Sequence, residues 1–152
     1  LGMGFRIVWQ TGQTDAGRIA PATERCSPKD VWTGAFIDRM DYAYAAADLA
    51  LCRAGATTIA ELTRLGKPAL LVPYPLAAAD HQTLNARAME KAGAAVLVGD
   101  ASARERLVPA LEGVLAVGRL DVMAKASASL GRPGAAGVIA KHVLELNRNR
   151  TS

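Results

Sequence analysis

The segment richest in chemical possibility is Cys52-Arg53-Ala54-Gly55-Ala56-Thr57-Thr58-Ile59-Ala60-Glu61. Small residues let a backbone approach a ligand closely. The first N–H groups of a helix that follows such a loop have no internal acceptors, and the helix dipole favours an anion beside them. A pyrophosphate suits that position. Glu61, one turn further on, presents a carboxylate that could accept both hydroxyls of a ribose. The same residues fit a second reading. Thr58-Ile59-Ala60-Glu61 matches the capping-box pattern, which would satisfy two backbone donors and do nothing else.

Asp80-His81-Gln82-Thr83-Leu84-Asn85 opens a helix after a loop with two prolines. Gln82 carries a donor and an acceptor, as a pair of sugar hydroxyls requires. The plainer reading is an N-terminal turn capped by Asp80. His81 is a candidate for proton transfer by its type, but no carboxylate partner is assured, so it is not assigned as a base. Phe36-Ile37-Asp38-Arg39-Met40 is the third candidate. Its backbone could meet the edge of a flat base while Ile37 packs on the ring; equally, Asp38 is a cap and the apolar residues are core.

Several chemistries are not encoded. Two histidines and two cysteines, far apart, build neither a metal site nor a disulfide framework, and Cys26 and Cys52 read as free thiols of a reducing compartment. No Walker sequence, no GxGxxG and no Ser-His-Asp arrangement is present. The net charge of +4 suits an anionic ligand or membrane surface, but the basic residues are scattered without aromatic interleaving, which argues against nucleic acid. No apolar run is long enough to span a bilayer.

The elements that must position these segments follow from the pattern of the 152 residues, of which 51% are hydrophobic and 5% aromatic, so the core rests on Ala, Leu, Val and Ile. Short apolar strands are expected at Phe5–Trp9, Val31–Phe36, Leu49–Cys52, Ala69–Val72 and Ala95–Val98. The stretch from Asp15 to Asp30 reads as irregular, with a short helix around Ala20–Arg25. Helices are expected from Asp38 to Ala47, Thr57 to Leu65 (ended by Gly66), Asp80 to Ala92, Ala103 to Leu115, Leu120 to Leu130 and Ala135 to Leu146. Non-alternating strands interleaved with helices describe a Rossmann-like α/β fold, a parallel sheet with helices on both faces. Ligands of such sheets sit at the carboxyl ends of the strands, where the three candidate segments fall.

Taken together, these segments resemble the C-terminal domain of the MurG-type glycosyltransferases. The likeness runs from Ile7-Val8-Trp9-Gln10-Thr11-Gly12 through Phe36–Met40, Ala47-Asp48-Leu49 and Cys52–Ala56 to Glu61-Leu62, Gly66–Pro73, His81–Ala86 and Glu90–Ala95. It implies the C-terminal half of a GT-B enzyme that moves N-acetylglucosamine from UDP-GlcNAc to lipid I, making lipid II for peptidoglycan. By that resemblance Ile37 offers its backbone to the uracil. Ala56, Thr57 and Thr58, with Ile59 and Ala60 following, line the phosphates. Glu61 holds the ribose, and Gln82, flanked by His81 and Asn85, reads the GlcNAc hydroxyls.

The chain departs from the family pattern at His81, where a second Gln is frequent, and at Thr57, where Leu is. His81 could still donate to a sugar hydroxyl. The resemblance further implies that residues 1–152 form a fragment of the UDP-GlcNAc-binding domain, without that domain's first strand and without the N-terminal domain. No catalytic residue, metal or cofactor is expected in it. Lipid I and the cytoplasmic face of the bacterial inner membrane are partners expected of the full-length protein, reached through the missing half, and the fragment alone should turn over no substrate. Two rivals remain: a stand-alone subunit of a two-component GlcNAc transferase, and a nucleotide-sugar-binding module that has lost the reaction.

Overall fold

The computed structural model describes residues 4–148 and divides into two compact units, one up to Ala47 and one from Asp48. The first contains strand β1 (Ile7–Gln10), helix α1 (Gln13–Thr23), strand β2 (Val31–Gly34) and helix α2 (Met40–Ala46). β1 and β2 run parallel, with Ile7 opposite Val31 and Gln10 opposite Gly34. No described residue of this unit is buried.

Two expectations fail here. The irregular stretch is largely helix: α1 begins directly after Gly12, whose φ of 73° turns the chain, and continues through Pro21 into its last turn. Pro21 lacks the N–H that would close a ladder bond, but the helix is exposed there and loses little by it. Asp38 does not cap α2. The N-cap is Arg39, which makes no side-chain cap bond, and Arg39 instead pairs with Asp41 at 2.6 Å and lies 3.8 Å over the Tyr42 ring. That pairing raises the Arg39 guanidinium and lowers the Asp41 carboxyl.

The second unit contains strands β3 (Ala50–Cys52), β4 (Ala69–Leu71) and β5 (Ala95–Leu97) in the order β3-β4-β5, all parallel. Helix α3 (Ala56–Leu65) links β3 to β4, and α4 (His81–Lys91) links β4 to β5. Helices α5 (Ala103–Val114), α6 (Arg119–Leu130) and α7 (Ala135–Arg148) follow. The expected elements of this unit are all present, with ends moved by one or two residues, as hydrogen-bonding patterns at frayed ends dictate.

The core sits at β4, whose three residues are fully buried. Successive side chains of a strand face opposite ways. Leu70 therefore meets Val114 of α5 and Met123 of α6 on one face, and Ala69 and Leu71 face the other. α3 ends at Gly66 in the left-handed conformation, as its type suggests. α3 and α6 are joined by the fully buried Ser127, whose Oγ donates to the carbonyl of Leu62 at 3.2 Å. α7 is exposed along its whole described length, Val138, Ile139 and Leu146 included.

Candidate functional site: the strand ends of the second unit

The start of α3 decides between the two readings of its sequence. Gly55 is the N-cap, in extended conformation, with no side chain to cap the helix. The first intrahelical bond runs from the N–H of Ile59 to the carbonyl of Gly55 at 2.9 Å. The N–H groups of Ala56, Thr57 and Thr58 therefore have no intrahelical acceptor. Thr58 lies in the third helical position rather than at the cap, so Thr58 and Glu61 do not form a capping box. The helix begins three residues too early for that.

Glu61 lies on the exposed side of α3. Burial, with a further push from the Glu61 charge, raises the Cys52 thiol to about 11. Cys52 is therefore a protonated thiol at neutral pH, not a nucleophile. Beside the same helix a groove of 350 Å³ is lined by Ala56, Ile59, Ala60, Thr63 and Arg64 of α3, Asn85 of α4, and Leu130, Arg132 and Ala135. Glu61 stands about 140° around the helix from Ala56, given 3.6 residues per turn. Groove and carboxylate thus flank the same helix start from different sides.

The loop before α4 is strained. Ala79 and Asp80 have φ values of 48° and 53°, which non-glycine residues seldom adopt. Asp80 makes no cap bond, contrary to its expected role. His81 Nδ1 lies 2.7 Å from the carbonyl of Ala78. A carbonyl only accepts, so Nδ1 carries the proton, and in the neutral ring Nε2 is an acceptor. With Nδ1 engaged there, Nε2 is the ring nitrogen left to meet a sugar hydroxyl.

Gln82 and Asn85 turn toward the loop after β3. Gln82 Oε1 accepts from the N–H of Ala54 at 3.2 Å and from the N–H of Tyr74 at 3.0 Å. Asn85 Nδ2 donates to the carbonyl of Ala54 at 3.0 Å. Arg53, named in the sequence motif without a role, fastens the neighbouring strand ends. Its Nη1 donates to the carbonyls of Val72 (3.2 Å) and Pro73 (3.0 Å) and pairs with Asp100 at 2.5 Å. The sequence placed Arg53 at a strand end, but nothing in it could reveal a partner 47 residues away.

Ile37 belongs to the first unit, just beyond β2, and the other candidates belong to the second. Its N–H donates to Gln10 Oε1 at 3.0 Å. A base reading this backbone would meet the Ile37 carbonyl, or displace Gln10. His142, on α7, lies 3.5 Å from Glu145 and is remote from these candidates in sequence and exposed. Among the described residues no group of three or more His, Cys, Asp or Glu could hold a metal ion, and no helix is long and apolar enough to cross a membrane.

The chain belongs to the glycosyltransferase family 28 C-terminal domain family, whose model matches residues 3–137. Among its relatives is the protein of Chlorobaculum parvum named UDP-N-acetylglucosamine--N-acetylmuramyl-(pentapeptide) pyrophosphoryl-undecaprenol N-acetylglucosamine transferase. It is 46% identical over 149 residues, covering 95% of this chain and 40% of that protein. The like-named protein of Chlorobium luteolum is 47% identical over 152 residues, covering 96% and 40%. The crystal structure of Acinetobacter baumannii MurG superposes with a TM-score of 0.79 at 31% identity, covering 95% of this chain and 43% of that one. The glycosyltransferase of kitacinnamycin shares the fold, with a TM-score of 0.63 at 22% identity. The chain thus spans about two fifths of the length of the curated relatives it matches.

Proposed function

We propose that this chain is the donor-binding half of an inverting GT-B hexosyltransferase that moves N-acetylglucosamine from UDP-GlcNAc to lipid I in peptidoglycan synthesis. The observation that carries the reading is the uncapped start of α3 at the carboxyl end of β3, with Glu61 on one flank and the α4 amides on the other. The N–H groups of Ala56, Thr57 and Thr58 receive the diphosphate, and Ile59 and Ala60 line the site after them without offering their N–H groups, which are spent in the helix. The positive end of the helix dipole adds about 0.3–1 kcal/mol of attraction per anionic group. Glu61 takes the ribose hydroxyls, Gln82 and Asn85 the sugar, and Ile37 the uracil through its backbone.

In the reaction the acceptor hydroxyl attacks C1 of the sugar from the face opposite the diphosphate. The C1–O bond breaks and UDP leaves with the electron pair. N–H donors fixed in advance at the helix start stabilise that growing charge better than they do the bound donor, which lowers the barrier. The acceptor lipid, the base that takes its proton and the cytoplasmic membrane surface are assigned to the whole protein.

Calorimetric titration tests the donor assignment. UDP-GlcNAc should bind the chain, and Glu61→Ala should weaken it by about a hundredfold, the worth of two lost hydrogen bonds to a charged group. Unchanged affinity in that variant would remove the ribose role. Measured transfer of GlcNAc to a lipid I analogue by the chain alone would show that the acceptor machinery is not elsewhere.

A further inference from the structure

We infer that Gln82 and Asn85 are positioning residues that lock the backbone of Ala54, and with it the start of α3, leaving the Gln82 NH2 group, the Asn85 carbonyl and one Asn85 N–H to meet a sugar hydroxyl. The inference rests on the donor-binding reading for its ligand but not for the lock itself.

Ala54 has no exposed surface and immediately precedes the N-cap Gly55. Both of its polar backbone groups are held by α4: the N–H by Gln82 and the carbonyl by Asn85. The same Gln82 oxygen accepts the Tyr74 N–H, so one atom joins the loop after β3, the loop after β4 and the first turn of α4. Two convergent N–H donors fix the amide orientation, because the flipped amide would aim its own N–H groups at them. Both lone pairs of Oε1 are then spent. The Asn85 amide is fixed in the same way, since only its nitrogen can donate to a carbonyl.

What remains is complementary. Gln82 keeps its two N–H donors, and Asn85 keeps Oδ1 as an acceptor and one N–H. Three residues apart, the two lie on one face of α4. A hydroxyl, which both accepts and donates, satisfies the pair, whereas a group that only accepts leaves Asn85 Oδ1 unpaired. The lock also ties the two subsites together. Removing the Gln82 oxygen frees the peptide that aims the helix start at the diphosphate, so recognition of UDP itself should suffer although UDP has no sugar.

Amide hydrogen exchange by NMR on the ligand-free chain reads the lock directly. In Gln82→Met the Ala54 and Tyr74 amides should lose about tenfold or more in protection, while Gln82→Glu, whose carboxylate still accepts both N–H groups, retains it. Wild-type protection of both amides in Gln82→Met would overturn the inference. If Gln82→Met does not fold, Gln82→Glu decides: loss of protection at both amides there overturns it equally.

Calorimetry with UDP reads the consequence. Gln82→Met should weaken UDP by about tenfold, the worth of one to two hydrogen bonds. Unchanged UDP affinity together with weakened UDP-GlcNAc would make Gln82 a sugar contact only and refute the positioning role. Failure of the wild-type chain to bind any uridine nucleotide would instead defeat the donor reading, with the amide result still deciding the lock.

Discussion

Replacing Arg53 by Met tests whether a single side chain holds the ends of the strands that frame the site. Met keeps most of the apolar stem and removes the guanidinium. The loss comprises the contacts to the carbonyls of Val72 and Pro73, at 3.2 and 3.0 Å, one ion pair with Asp100, and the approach of the guanidinium to the Tyr74 ring at 5.6 Å. Nη1 has two hydrogens for three acceptors, so the two carbonyls share one of them and together contribute about 1 kcal/mol net, and the Tyr74 contact adds about 0.5 kcal/mol. Asp100 and Arg53 have side chains 38% and 49% exposed, so their pair is solvent-screened and is worth about 0.5 kcal/mol.

The expected cost of Arg53→Met is therefore about 2 kcal/mol, a fall in Tm of about 4–8 °C for a chain of this size. Thermal unfolding followed by far-UV circular dichroism measures it. Asp100→Asn removes only the ion pair and should shift Tm by no more than about 2 °C. In 1 M salt the Asp100→Asn effect should vanish while most of the Arg53→Met effect persists. If Asp100→Asn costs as much as Arg53→Met, the ion pair rather than the carbonyl bonds holds the strand ends. A shift below about 2 °C for Arg53→Met would leave Arg53 no fastening role.

Two further outcomes follow from local geometry. The Cys52 thiol, raised from 9.0 to about 11, stays protonated in the folded chain after the unfolded chain has ionised. Between those values the unfolded state binds fewer protons, so stability falls as pH rises, by on the order of 2–3 kcal/mol in all. Urea midpoints at pH 8 and pH 10.5 should show that slope reduced in Cys52→Ala, and an equal slope in both would refute the burial argument. Gly66→Ala places a side chain at φ 63° with its Cβ 3.2 Å from that of Ala128. It should cost about 1–2 kcal/mol, with Ala128→Gly recovering only the contact and not the backbone part, as urea unfolding of the single and double variants will show.

The sequence determined the order and type of nearly every element of the second unit, because strand and helix periodicities are local properties of the chain. Glycines and prolines ended those elements where the backbone had to turn, as Gly66 does at φ 63°. It also determined that the candidate residues fall at strand ends, and its motif spacing carried the family. Where two local rules competed it failed: Pro21 suggested a break inside α1, and Asp38 and Asp80 suggested caps that the chain does not make.

Only the tertiary structure decided what the polar groups of the site do. Thr58 and Glu61 match a capping box by spacing, yet α3 starts at Ala56 and dissolves the box. Gln82 reads as a ligand residue, yet its oxygen is committed to peptides 28 and 8 residues away. Arg53 meets Asp100 across 47 residues. Hydrogen-bond valence is shared among groups that folding brings together, and no pattern within a short window specifies which of them will be spent on the fold and which are left for a ligand.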